Sequence, residues 1–356
     1  QTADAAARRA LQVAETLRAA MGQPIRVGEH SHHLSASIGV VLFPSDGADI
    51  ETLLKHADIA MYHAKAEGRD CTRYFRPELH AVIEERHELE TALRQSLRDT
   101  GLHLAFQPLF DARGQVLGAE VLVRWQRPDR GPVSPTQFIP ICEESGLIVE
   151  LGYWVLQQTA TQLAGWTANG LMQGRYLSVN ISPRQFRQAD FVERTLQILA
   201  AAGVPPEQLV LEITEGVVMG DVEATIERIN ALRRHGLRFY IDDFGTGYSS
   251  MAYLKQLPVD GLKIDQSFVR DLAEDDNDAA IVEAVLAIGQ RFRLTVVAEG
   301  VETEAQRDFL VSRGCTALQG FLLGRPVDAA MFEARFLRAP AAVASPAGSL
   351  SPATRA

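Results

Sequence analysis

Residues 102–338 predict an α/β fold, a TIM-like (β/α)8 barrel with one antiparallel strand, and three observations carry that expectation. Eight apolar, strand-like runs alternate with helix-like segments, at 102–109, 115–125, 176–181, 209–213, 237–242, 261–265, 294–299 and 316–320. Every run has a polar or charged residue at or near its end. Only Asp111-Ala112-Arg113-Gly114 separates the first two runs. That is too short for a crossover helix, so this pair must be antiparallel.

The elements ahead of the barrel follow in order. Over residues 3–22, Ala6, Ala10, Leu11, Ala14, Leu17 and Met21 share one helical stripe, and Gly22 and Pro24 end it. Residues 25–27 and 34–43 read as strands joined by the turn-like Gly28-Glu29-His30-Ser31. A metal site at His30, His32 and His33 lacks a further ligand at a usable spacing, so the trio reads as a solvated hairpin. A helix over 50–67 turns Leu53, Leu54, Ala57, Ala60, Met61 and Ala64 inward and stops at Gly68. Residues 78–100 form a charge-rich helix with Leu89, Leu93 and Leu97 at helical spacing. It is either a connector into the barrel or the barrel's own first helix. The Ala/Pro/Ser-rich tail, 339–356, is predicted to be disordered.

Composition narrows the function. With 356 residues, 46% hydrophobic, the chain can bury the core of one large domain plus a smaller piece. The formal net charge is −10. Residues 1–80 hold nine basic and ten acidic side chains, so −9 of it belongs to the rest. Such a surface excludes a polymeric nucleic acid, which needs many Lys/Arg phosphate contacts. A small anionic ligand remains open where metal ions neutralise the site. Cys71, Cys142 and Cys315 lie far apart and suit a reducing, cytoplasmic setting. No apolar run is long enough to span a membrane. The chain starts at Gln1 without a signal peptide and reads as part of something longer, whose upstream sensory or membrane-anchoring segments are expected to lie outside it.

The strand ends carry Gln107, Glu120 with Arg124, Asn180, Glu212, Asp242 with Asp243, Lys263 with Asp265, Glu299 and Gln319. In a parallel barrel these ends converge on one mouth. A hairpin turning at Arg113-Gly114 also sets Gln107 opposite Glu120. Adjacent strand residues point to opposite faces, so Asp242 and Asp243 can serve one site only where their strand ends. The turn after them, Phe244-Gly245-Thr246-Gly247, lets the backbone approach a ligand. Several carboxylates and one Asn oxygen can hold two Mg²⁺ or Mn²⁺ ions, the arrangement that assists phosphodiester hydrolysis. Arg124 and Lys263 can hold phosphate oxygens, or Lys263 can orient water; Glu299 is a candidate for proton transfer.

Gly118-Ala119-Glu120-Val121-Leu122-Val123-Arg124-Trp125, Ser178-Val179-Asn180-Ile181-Ser182, Leu211-Glu212-Ile213-Thr214-Glu215, Asp242 to Gly247, Leu262-Lys263-Ile264-Asp265 and Ala298-Glu299-Gly300-Val301-Glu302 together resemble the EAL domain, over residues 84–338. The resemblance implies hydrolysis of cyclic di-GMP, a bacterial second messenger in signal transduction, to linear 5′-pGpG. It also implies that Glu120, Asn180, Glu212 and Asp242 hold one metal ion and Asp243 the second. Lys263 and Glu299 then position and activate water, and Glu215, Asp265 and Glu302 support from behind, with Glu215 holding the loop. Arg124, Gln107 and Gln319 become substrate or support contacts. Ca²⁺ is expected to bind but inhibit, and the relatives' habit of pairing beside the 243–250 loop implies a homodimer. The signature reads Glu-Val-Leu rather than Glu-Ala-Leu, and Val121 points away from Glu120. A competing reading is a receptor or scaffold that binds cyclic di-GMP without cleaving it.

Residues 1–77 form the other resemblance. Ala36-Ser37-Ile38-Gly39-Val40 and Ala57 to Lys65 resemble the C-terminal half of a GGDEF (diguanylate cyclase) domain. This implies a truncated α+β remnant with no cyclase competence of its own.

Overall fold

The computed structural model describes residues 3–23, 25–27, 30–32, 34–75, 77–218, 221–246, 254–272 and 275–338. Contacts divide it into two compact units, Gln1–Ala92 and Leu93–Ala356. In the first, helix Ala3–Met21 precedes an antiparallel pair, β1 (Ile25–Val27) and β2 (His30–His32). Then β3 (Ile38–Val40) pairs in parallel with β4 (Thr72–Tyr74) across helix Ile50–Ala66. Asp49 caps that helix by accepting the Thr52 N–H at 2.8 Å. At Gly39 a Cβ would fall 2.2 Å from the Ala57 carbonyl oxygen, so the bare glycine is what lets strand and helix touch.

This unit departs from expectation in two places. The strand anticipated over 34–43 shrinks to Ile38–Val40, because its partner β4 is only three residues long, and β2 already begins at His30. The first helix buries Ala14 but leaves Leu11, Leu17 and Met21 exposed, and Leu54 is 63% exposed on the second. The small β3–β4 sheet covers only part of each helical stripe. His33, the turn residues Gly28 and Glu29, Gly247 and the tail 339–356 lie outside the described residues, as does the side chain of Ala6. Helix Pro77–Ser96 ends four residues before the expected boundary, with Leu89 and Leu93 buried.

The second unit holds β5 (Leu102–Asp111), β6 (Val116–Arg127), β7 (Gly131–Val133), β8 (Tyr176–Ile181), β9 (Leu209–Thr214), β10 (Arg238–Phe244), β11 (Gly261–Ile264), β12 (Thr295–Ala298) and β13 (Ala317–Leu318). From β6 through β8 to β13 the neighbours run parallel, and β5 closes the ring antiparallel to both β6 and β13. The result is the expected eight-stranded barrel with one antiparallel strand. The unanticipated β7 pairs only with β6. Its three residues include Pro132, which reads as a turn rather than a strand.

Inside the barrel an apolar cluster of Leu109, Tyr176, Val210, Tyr240, Val297 and Ala317 forms the floor. Glycines make room for its large rings. A Cβ on Gly118 would lie 1.8 Å from the Tyr176 carbonyl oxygen, and one on Gly261 would lie 2.8 Å from the Tyr240 ring. The two tyrosine rings meet edge to face with centroids 6.2 Å apart, a favourable quadrupole arrangement. No helix among the described residues is long and apolar enough to cross a membrane.

Candidate functional site

Residues i and i+2 of a strand share one face, so the apolar floor dictates the layer above it. Two positions beyond Gly118, Val210, Tyr240, Gly261, Val297 and Ala317 stand Glu120, Glu212, Asp242, Lys263, Glu299 and Gln319. On antiparallel β5 the count runs backward, from Leu109 to Gln107, and the register sets Gln107 opposite Glu120. Asn180 on β8 pairs in register with Glu212 on β9. A ring of polar groups thus caps the floor at the strands' C-terminal side.

Lys263 is its centre, with 1% of its surface exposed. Its Nζ lies 2.6 Å from Glu299 Oε1, 2.8 Å from Glu212 Oε2, 3.1 Å from Asp242 Oδ1 and 3.6 Å from Glu120 Oε2. Burial alone would lower the pKa of this ammonium, but the surrounding carboxylates hold it well above the usual lysine value. One cation cannot balance four carboxylates. Burial, helped by Glu120 and Asp242 and opposed by Lys263, pushes Glu212 well above the ordinary range and Glu299 to about 8.

Glu120 is held from two sides. Asn180 Nδ2 donates to its Oε1 at 2.7 Å, and Gln319 Nε2 donates to its Oε2 at 2.6 Å. At the end of β10, Asp243 adopts φ 53°, the left-handed region that aspartate tolerates better than most residues. This turn brings two adjacent carboxylates to one place: oxygens of Asp242, Asp243 and Glu299 all lie within 4.8 Å of one another. The Asp243 carboxyl is pushed up to about 6, by burial first and then by Asp242 and Asp265. Glu215 Oε1 accepts the Gly245 N–H at 2.9 Å, and Thr246 Oγ1 donates to the Asp243 carbonyl at 2.8 Å, so the visible part of the loop is tied down. Asp265 accepts the Ser267 N–H at 3.0 Å and caps the short helix Gln266–Arg270.

A cleft of about 210 Å³ opens over this layer. Gln107, Glu120, Asp242, Lys263, Glu299 and Gln319 line it, and Glu302 joins them from an exposed position. Arg124 is not brought into bonding distance of the carboxylates. It is half-buried, its Nη1 donating to the Val123 carbonyl at 2.9 Å, and burial lowers its pKa against the pull of Glu120. Four cleft residues escape the strand-end reading: Gln266, Gly300, Gly320 and Phe321. Gln266 directly follows Asp265, Gly300 directly follows Glu299, and Gly320 and Phe321 directly follow Gln319, so extending each strand end by one or two residues would have found them.

The donor set suits hard divalent cations. Every candidate ligand offers oxygen, the carboxylates exceed the nearby positive charge, and Gln319 Oε1 is buried with no hydrogen-bond partner.

Comparison with known proteins identifies the family. The EAL domain family profile matches residues 90–326, and the profile of the diguanylate cyclase GGDEF domain matches residues 1–71. The chain is 43% identical over 321 residues to the bifunctional diguanylate cyclase/cyclic di-GMP phosphodiesterase MucR of Pseudomonas aeruginosa, covering 90% of this chain and 47% of MucR. It is 38% identical over 315 residues to the cyclic di-GMP phosphodiesterase PdeR of Escherichia coli, covering 88% and 47%. The chain therefore spans about half the length of these relatives. A solved structure of the MucR phosphodiesterase in complex with c-di-GMP superposes with a TM-score of 0.67 at 44% identity, over 69% of this chain and 99% of that one.

Proposed function

Since this chain belongs to the EAL domain family, we propose that it is a metal-dependent phosphodiesterase that opens cyclic di-GMP to linear 5′-pGpG. The observation that carries this reading is the layer around Lys263, where Glu120, Glu212, Asp242 and Glu299 converge beside Asp243 at the floor of an open cleft. MucR and PdeR, which bear the names of cyclic di-GMP phosphodiesterases, support the choice of substrate.

Glu120, Asn180, Glu212 and Asp242 would hold one Mg²⁺ or Mn²⁺ ion, and Asp243 the second. Two such ions supply electrostatic stabilisation of the phosphodiester oxygens and make water a better nucleophile. Lys263 keeps the carboxylates gathered, because without its charge they would repel one another. Gln319 and Asn180 fix the two oxygens of Glu120, which locks its rotamer. Glu299 sits at the cleft beside Asp242 and Asp243, so its Oε1 or Oε2 is placed to take and return a proton. In the overall reaction the water oxygen bonds to phosphorus, one P–O3′ bond breaks, and the leaving 3′ oxygen gains a proton.

The test is incubation with cyclic di-GMP in Mg²⁺, Mn²⁺ or Ca²⁺, with product identification beside calorimetric binding. The expected product in Mg²⁺ or Mn²⁺ is pGpG. Ca²⁺ prefers longer bonds of about 2.3–2.6 Å and looser coordination, so binding without cleavage is expected there, and inhibition of the Mg²⁺ reaction. Binding without cleavage in every metal would favour the receptor reading instead.

A further inference from the structure

One ring that lines the cleft carries on its face a cation that the chemistry above does not use. Phe321 lines the cleft and keeps 47% of its surface exposed. The guanidinium carbon of Arg325 stands 4.1 Å from the centroid of that ring, within the range of a cation–π contact. Arg325 is itself exposed and makes no ion pair among the described residues.

The backbone between the two is fixed rather than loose. Leu323 and Gly324 donate their N–H groups to the Gly320 carbonyl at 3.1 and 3.0 Å. The Gly324 carbonyl accepts from Gln107 Nε2 at 3.5 Å, and a Cβ on Gly324 would fall 2.4 Å from the Pro108 ring. The turn is thereby pinned to β5, and Arg325 follows it directly, with its guanidinium against the cleft-lining Phe321.

A guanidinium steadied on an aromatic face keeps its edge of N–H donors free. That fork matches a guanine, whose O6 and N7 are two adjacent acceptors; adenine replaces O6 with an amine donor, which the fork repels. The layer below is carboxylates around a committed lysine, and the cleft amides of Gln107, Gln266 and Gln319 each offer both a donor and an acceptor, so they separate guanine from adenine less sharply than a fork of donors alone. We propose that Arg325, held on Phe321, reads a guanine base of the bound dinucleotide and sets the preference for guanine over adenine. This rests on the reading of the chain as acting on cyclic di-GMP.

The experiment compares wild type, Arg325→Ala and Arg325→Lys on cyclic di-GMP and cyclic di-AMP, with kcat and KM separated, binding measured by calorimetry, and melting temperature as a folding control. A good bidentate base contact gives roughly ten- to hundredfold discrimination against the wrong base. Arg325→Ala should therefore raise KM for cyclic di-GMP about tenfold, place little of its effect in kcat, and reduce the preference over cyclic di-AMP by a similar factor. Arg325→Lys keeps the charge but not the fork, so it should recover little. Unchanged KM and preference in Arg325→Ala, or full recovery in Arg325→Lys, overturns the proposal while leaving the phosphodiesterase reading standing. A wild type that binds cyclic di-GMP without cleaving it fails the catalytic reading, and the arm is then judged by the same shifts in Kd. A wild type that neither binds nor cleaves overturns both.

Discussion

Asp242 shows how one residue holds both halves of the proposed chemistry. Its Oδ1 meets Lys263 Nζ at 3.1 Å and accepts the Asp243 N–H at 3.1 Å, so it joins the buried cluster to the strand end. Replacing it with Asn keeps shape and removes charge. Asp242→Asn should lower turnover by a factor on the order of 10³. The same change relieves carboxylate repulsion, since Asp242 is one cause of the raised Glu212, so the melting temperature in metal-free buffer should hold or rise. Near wild-type turnover would remove Asp242 from the metal-holding set. The cysteines give an independent check on burial. Burial, with Glu143 nearby, pushes Cys142 up to about 12, and burial pushes Cys315 to about 11, whereas Cys71 is only half-buried. Thiolate is the reactive form. A disulfide reagent at pH 8 should therefore titrate one thiol in the native protein and three in denaturant. Rapid native reaction of three thiols would mean that the packing around Cys142 and Cys315 is more open than the structure shows.

At the scale of elements, strand register places every site side chain. Glu120 reaches the layer because β6 pairs with β8 at Gly118↔Tyr176 and Glu120↔Ser178. Gly118 permits this closeness, since a Cβ there would lie 1.8 Å from the Tyr176 carbonyl oxygen. Gly118→Ala must push the strands apart or slip them, and overpacking of this kind costs about 1–3 kcal/mol or more. Thermal unfolding should register that loss, with a loss of activity larger than stability alone explains, because Glu120 moves with its strand. A fully active, equally stable variant would show that the register tolerates displacement. The short β7 illustrates the opposite case. It adds an edge to β6 at Trp125, Gln126 and Arg127, beyond the residues of the cleft, and neither its existence nor its length bears on the site.

For the molecule as a whole, closure is the decisive feature. β5 joins β6 to β13, so Gln319, near residue 320 of the chain, can hold Glu120, which lies about 200 positions earlier. The family resemblance adds an expectation about assembly: a homodimer formed beside the 243–250 loop, of which residues 247–250 lie outside the described residues. Light scattering at micromolar concentration should then give twice the mass of 39.0 kDa. Fully active monomer under the same conditions would remove pairing from the account.

The sequence by itself determined the barrel, its single antiparallel strand and the residues at the strand ends. Apolar runs, short turns and period-two alternation are local signals, and Gln107 opposite Glu120 follows from counting around the Arg113-Gly114 turn. Local signals served less well before residue 77, where helical stripes predicted burial for Leu17 and Leu54 that short sheets do not provide. Only the tertiary structure decided which strand-end residues touch. It committed Lys263 to four carboxylates, fastened Gln319 to Glu120, turned Asp243 through a left-handed conformation and left Arg124 bonded to its own backbone neighbourhood. It also set Arg325 on Phe321. Periodicity says which face a residue occupies; contacts between strands 50 or more residues apart depend on how the sheet closes, and closure is a property of all eight strands together.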